Sequence, residues 1–212
     1  MTQTQLAAKL VAYMTAKGYT IFTGPGEINI AYLEGANFDG EPNKDDPDKF
    51  NDRRILFEFK DGVPEIILNT QATTEPGLSA TFSAQAKNRG GVARIAFGQF
   101  TSWQMGFHRG DPKHPALRQC KPIPVYRDIN RDGKRTGDPV SNGSGINQHG
   151  TNGKTVSDRV GNWSEGCLVG FVWDEHMKFI DLLRTDPRFI ADPKFVFTSA
   201  VIDGDDFGRF KI

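Results

Sequence analysis

Apolar residues recur along the chain at two spacings, and the spacing changes with position. Leu6, Leu10 and Met14 fall four apart within residues 4–17. That is the repeat of an amphipathic helix, and Gly18 is placed to stop it. On this pattern the helix covers one face of a sheet. From residue 55 the period drops to two. Ile55, Phe57 and Phe59 alternate with Leu56, Glu58 and Lys60, and Asp61-Gly62 then turns the chain. This predicts a hairpin. Short strands are predicted over 92–100, 103–108 and 122–127, with Pro112 and Pro115 marking a loop between the last two, and a closing strand over 195–202. Trp173 to Arg184 reads as a helix, with Asp174 as its cap and Met177, Ile180 and Leu183 on one face. The polar, acidic stretch 35–53 reads as a loop. Strands outnumber helices, so the expected class is mainly β with peripheral helices (α+β). Residues 1–34 are expected to pack as a helix and lead-in segment on a domain spanning 35–212.

Composition narrows the function classes. The chain has 212 residues, enough for one sizeable core. Lys plus Arg is 26 and Asp plus Glu is 26. A zero net charge gives no electrostatic reason to expect nucleic acid or an anionic membrane as partner. No apolar run approaches the ~20 residues of a membrane span. The N-terminus has neither a basic start nor a long apolar stretch. No signal peptide is therefore expected, and synthesis is expected in the cytosol. Two cysteines, Cys120 and Cys167, are too few for a disulfide framework. Two free thiols are expected, with Cys120 packed inside.

Two segments carry candidate chemistry. "GINQHGTNG" (145–153) ends an alternating run on His149, and "SEGCLVG" (164–170) places Cys167 directly after a glycine. A cysteine nucleophile needs a base or cation nearby and donors for an oxyanion. Gly166 permits a tight backbone, so that the amides of Gly166 and Cys167 converge. Gly150 frees a carbonyl to accept from the second nitrogen of His149 and fix its tautomer. The same two residues also read as a small buried hydrophobe and a satisfied polar side chain. His108 in "WQMGFHRG" reads as a cleft residue or a surface one. Trp163 reads as a substrate wall or as packing.

The order of these segments resembles the L,D-transpeptidase (YkuD-like) catalytic domain. His149-Gly150-Thr151, a gap, and Ser164-Glu165-Gly166-Cys167 match that family's histidine and Ser-x-Gly-Cys segments. "TTEPG" (73–77) and "PIPVY" (122–126) fall in the expected order upstream. The resemblance implies a β-sandwich of mixed sheets and no cofactor. It implies an acyl-enzyme formed on Cys167 from a peptidoglycan stem peptide at the bacterial cell wall. His149 would be the base, the Gly150 carbonyl its orienter, and the Gly166 and Cys167 amides the oxyanion hole. Ser164, Trp163 and His108 would face substrate. On this reading the Cys167 sulfur contacts a His149 nitrogen, and its pKa is depressed. Two positions depart from the family. Glu165 stands where the family has histidine, and a carboxylate there raises the thiol pKa. Val169 stands where Arg or Asn is usual. Both favour hydrolysis over cross-linking, as in an endolysin or an effector. The alternative is a non-catalytic wall-binding or virion structural module that keeps the fold.

One further motif stands apart. In "RDINRDGKRTGD" (127–138), Asp128, Asn130, Asp132 and Gly133 match positions 1, 3, 5 and 6 of a calcium loop. The twelfth position is Pro139 instead of glutamate, and Asp138 comes one residue early. An Asp/Asn/Gly-rich turn explains the same residues.

Overall fold

The computed structural model describes residues 1–153 and 157–212. Its strands are β1 (Asn29–Glu34), β2 (Asp52–Lys60), β3 (Val63–Thr73), β4 (Val92–Ile95), β5 (Gly98–Phe107), β6 (Pro115–Gln119), β7 (Ile123–Asp128), β8 (Val140–Gly143), β9 (Gln148–Gly150), β10 (Leu168–Gly170) and β11 (Phe197–Asp203). Its helices are α1 (Gln3–Ala16), α2 (Leu78–Thr81), α3 (Ala84–Asn88), α4 (Trp173–Arg184), α5 (Pro187–Ala191) and α6 (Gly204–Arg209). The chain is mainly β with a few helices.

The two-sheet sandwich implied by the resemblance is not what forms. Eight strands close into a barrel in the order β1-β11-β5-β6-β9-β10-β3-β2, beside a three-stranded sheet β4-β7-β8. Closure depends on β1, which pairs in parallel with β11 and antiparallel with β2. The segment 1–34 thus supplies a barrel strand as well as a covering helix. β1 is buried along its whole length. A strand buried on both faces has no alternation to read, so its sequence carries no period of two. Its neighbours show why both faces are covered. Ile30, Tyr32 and Leu56 join one apolar cluster, while Ala31, Leu33, Ile55 and Phe57 join a second. Leu6, Leu10, Tyr13 and Met14 of α1 cover the second cluster, and Phe179, Ile180 and Leu183 of α4 complete the first.

Several local expectations shift. The hairpin turns at Asp61 and Gly62, both with positive φ. The two strands expected over 92–100 and 103–108 form as β4 and β5, with the break between them at residues 96–97 instead of 101–102. β6 occupies the expected proline loop, with Pro115 as its first residue, a position that needs no ladder donor. α4 has the predicted bounds, but Asp174 lies in its first turn rather than capping it, and the Val172 N-cap makes no side-chain bond. There the charge meets the helix dipole instead.

The barrel edge next to β4 buries more carboxyl than guanidinium groups. Glu34, Asp52 and Glu75 lie with Arg94, all at 5% exposure or less. Arg135 reaches Glu34 through both terminal guanidinium nitrogens, and Arg94 pairs with Glu75. The Thr74 hydroxyl is 2.6 Å from Glu34 Oε2 and 2.9 Å from Asp52 Oδ2. It has one hydrogen to give. Glu34 and Asp52 both accept from it, and Asp52 also accepts the Gly35 amide at 2.8 Å through Oδ1 and the Thr74 amide at 2.5 Å through Oδ2. Burial and the adjacent Glu34 keep Asp52 well above the usual carboxylate range. Burial and Glu34 also push Glu75 up to about 8, against the pull of Arg94.

This gives a pH dependence of defined sign. A carboxyl whose native pKa exceeds its unfolded one stabilises fully below the unfolded value, and that stability is lost as pH rises toward the native value. Buried histidines work in the opposite sense, but only below about 6.5. Between about pH 6.5 and 8 the unfolding free energy should therefore decline, as read by urea titration at stepped pH. Asp52→Asn should flatten the decline, and a profile that rises over that interval contradicts the upward shift of these carboxyls.

Candidate active site

β9 and β10 are parallel neighbours, with Gln148 opposite Leu168, His149 opposite Val169 and Gly150 opposite Gly170. Residues 147, 149, 167 and 169 therefore share one face. His149 and Cys167 open on one cleft of about 480 Å³ with Asn147, His108, Arg109, Arg127, Trp163, Glu165 and Arg89 on its walls.

The cysteine loop is fixed from three sides. Ser164 is fully buried, and its hydroxyl donates to the Cys167 carbonyl at 2.8 Å and accepts from the Gly166 amide at 3.0 Å. The Ser164 carbonyl accepts from the Gly77 amide in the "TTEPG" turn at 3.0 Å. Buried Asp48 takes the amides of Gly161 and Leu78 at 2.7 and 3.0 Å. Gly166 has φ +133, and a Cβ there would lie 2.4 Å from the Ala93 carbonyl of β4. Glycine is required on both counts.

This geometry redraws the expected oxyanion hole. The Gly166 amide is committed to Ser164, while the Cys167 amide has no backbone acceptor among the described residues. Ser164 shapes the loop and does not reach the cleft, so the expected substrate contact does not fit its burial. Trp163 does both things expected of it, lining the cleft and packing on the cluster of Phe50, Val160 and Val169.

His149 is buried, and its Nδ1 lies 2.8 Å from the Gly150 carbonyl. A carbonyl only accepts, so Nδ1 carries the hydrogen and Nε2 has a free lone pair. Nε2 has no partner among the described residues. His114 Nε2 donates to the same carbonyl at 2.9 Å. The His108 ring stacks on His149 at 4.0 Å between centroids. Buried His176 fixes the floor beneath them: it donates from Nε2 to the Pro115 carbonyl at 2.8 Å, and its side chain is 2.7 Å from where a Gly150 Cβ would stand. Four histidines scattered in sequence thus meet at one end of the barrel. The motif reading found His149 and weighed His108. His114 and His176 carry no sequence signal, since they arrive through β6 and α4.

The expected sulfur–imidazole contact is not made. The Cys167 Sγ–H donates to the Gly145 carbonyl at 3.6 Å, and Sγ accepts from the Asn147 amide at 3.4 Å. The parallel register explains this, because Cys167 falls opposite Asn147, one step short of His149.

The electrostatics also differ from expectation. Burial pushes the Cys167 thiol up to about 11, assisted weakly by Glu165 and opposed by the Asn147 amide and Arg109. Glu165 acts in the sign read from the sequence, yet burial is the larger cause. Glu165 itself is paired with Arg89 at 2.8 Å. Burial and the neighbouring His108 lower His149 to about 3, and His108 falls to about 4 for similar reasons. The resting pair is therefore neutral thiol and neutral imidazole. Cys120 is exposed rather than packed.

Alkylation tests this state. At pH 7 iodoacetamide should modify exposed Cys120 before Cys167, by site-resolved mass spectrometry. The Cys167 rate should keep climbing past pH 9, because the reacting thiolate is scarce below its pKa. A plateau below pH 8 would instead mean a preformed thiolate. No family model, curated protein or solved structure matches the chain.

Proposed function

We propose that the chain is a cysteine-dependent peptidoglycan enzyme of the L,D-transpeptidase type, acting on stem peptides, with water as the favoured acceptor. The observation that carries this reading is the His149 imidazole, held by the Gly150 carbonyl with Nε2 unpartnered, on the cleft that also holds Cys167. A merely satisfied histidine would have both nitrogens engaged. The arginines on the cleft walls, Arg109 and Arg127, complement the carboxylates of a stem peptide. The closed sheet stands in for that family's sandwich.

The chemistry follows from the neutral pair. Cys167 turns toward His149, and its sulfur attacks the substrate carbonyl carbon as the thiol proton passes to Nε2. The Cys167 amide donates to the oxyanion that forms. The tetrahedral adduct collapses, the C–N bond breaks, and the imidazolium returns the proton to the leaving amine. A thioester remains on Cys167. Water then attacks it, giving a proton to Nε2, and the thiol leaves with that proton. Val169 is fully buried against Phe50 and Val160, so position 169 offers no polar group to seat an amine acceptor. That supports hydrolysis.

Digestion of purified peptidoglycan with mass analysis of the released muropeptides tests the reading directly. Cys167→Ala and His149→Ala should each reduce release by roughly 10³-fold or more while the fold persists. Release by the parent with no loss in Cys167→Ala would overturn the nucleophile. No release by the parent, with retained sedimentation on peptidoglycan, would leave a binding module. The pH profile gives a second check. With His149 lowered to about 3, kcat/KM should show no inflection near 6.5. A bell centred on neutral pH would instead signal an ion pair.

A further inference from the structure

We propose that the loop joining β7 to β8 is a calcium-class cation site whose carboxylate ligands are Asp128, Asp132 and Asp138. One oxygen from each lies within 4.8 Å of the others. That is a span that two calcium–oxygen bonds of about 2.4 Å cover. The second observation is the state of Asp128. It is 1% exposed, its Oδ2 accepts the Gly133 amide at 3.2 Å, and its Oδ1 is buried with no partner among the described residues. Asp138 Oδ2 is buried and unpartnered in the same way. An isolated buried carboxylate is strongly disfavoured, and a cation or a partner must offset it.

Three arginines of the loop and its flank are aimed elsewhere, and buried Arg94 of β4, paired with Glu75, lies against the loop with Nη2 3.4 Å from where a Gly133 Cβ would stand. Arg135 pairs with Glu34, the Arg131 guanidinium lies 6.0 Å from the Phe82 ring centroid, and Arg127 Nε donates to Ser141 Oγ at 3.1 Å. Among the described residues none of the three carboxylates forms an ion pair. An all-oxygen set at this spacing selects a hard divalent cation.

The ligand set differs from the sequence motif in an informative way. Asn130 is turned inward on the loop: its Oδ1 accepts the Asp132 amide at 3.1 Å, and its Nδ2 donates to Asp132 Oδ2 at 3.0 Å. It braces the turn. Asp138 replaces the absent twelfth-position carboxylate. The site also adjoins the cysteine loop through one sheet. Asp128 pairs with Val92 of β4, a Cβ at Gly91 would lie 2.4 Å from the Asp128 carbonyl, and Ala93 of the same strand abuts Gly166. A cation here braces the strand on which the cysteine loop rests.

The test is calorimetric titration of the chelator-treated full chain with calcium chloride, paired with thermal melting. One-site binding with a Kd at or below about 1 mM and a rise in Tm with calcium are expected, as for extracellular calcium modules. Asp132→Asn and Asp138→Asn should each weaken binding by about tenfold or more. Asp111→Asn, in an unrelated turn, should bind as the parent does. Asp128→Asn removes the most buried ligand; should it fail to fold, Asp132→Asn and Asp138→Asn still decide. Absence of heat and of a Tm shift up to about 10 mM calcium overturns the site. So does binding that both exposed-side variants leave unchanged.

Discussion

The parallel pairing of β9 with β10 is the constraint on which the site depends. Parallel neighbours cannot be joined by a tight turn. The chain must leave Gly150, travel back, and re-enter at the end from which β9 started. That return delivers Cys167 beside Asn147, on the face that carries His149. A slip of one residue would send one of the two to the opposite face. Much of the surrounding structure holds this register. Trp103 donates to the Ile146 carbonyl, Gln119 takes the Ile146 amide and gives its own amide to Asn147, and Asp48 ties down the returning loop.

Within that frame, desolvation outweighs local charge. Reading Glu165 as the decisive electrostatic neighbour overvalues an exposed, paired carboxylate. Its field at the sulfur is screened, whereas the loss of water around Cys167 and His149 is not. Base strength at Nε2 comes from tautomer control by one backbone carbonyl, which two imidazoles share. The cleft is therefore organised by hydrogen bonds that fix where protons sit, rather than by opposite charges that separate them.

Much of this was legible in the chain. The α1 stripe, the Asp61-Gly62 hairpin and α4 follow from period and turn chemistry, and the placing of His149 and Cys167 on one cleft is what the family resemblance implied. What escaped has a physical reason in each case. β1 lacks alternation because both its faces are covered. β6 hides behind Pro115, a residue that opens a strand as readily as it breaks one. β10 is too short to show a period, and of the alternating run ending on His149 only residues 148–150 form the strand β9. Barrel closure is a long-range pairing of β1 with β11, and no local window contains it. The Gly166 amide was assigned by motif, but its partner, the Ser164 hydroxyl, becomes visible only when the turn is built. The exposure of Cys120 depends on which side of β6 the chain leaves, which composition does not encode.

The protonated sulfur has a consequence for redox chemistry. Peroxide attacks thiolate, and the first step toward sulfenic acid is slow wherever thiolate is scarce. A cysteine kept near 11 by burial is spared that step at neutral pH, although it lines an open cleft. Exposed Cys120 has no such shelter. In oxidising surroundings the surface thiol is consumed first, as a mixed disulfide or as a covalent link between two chains, and the cleft sulfur stays reduced.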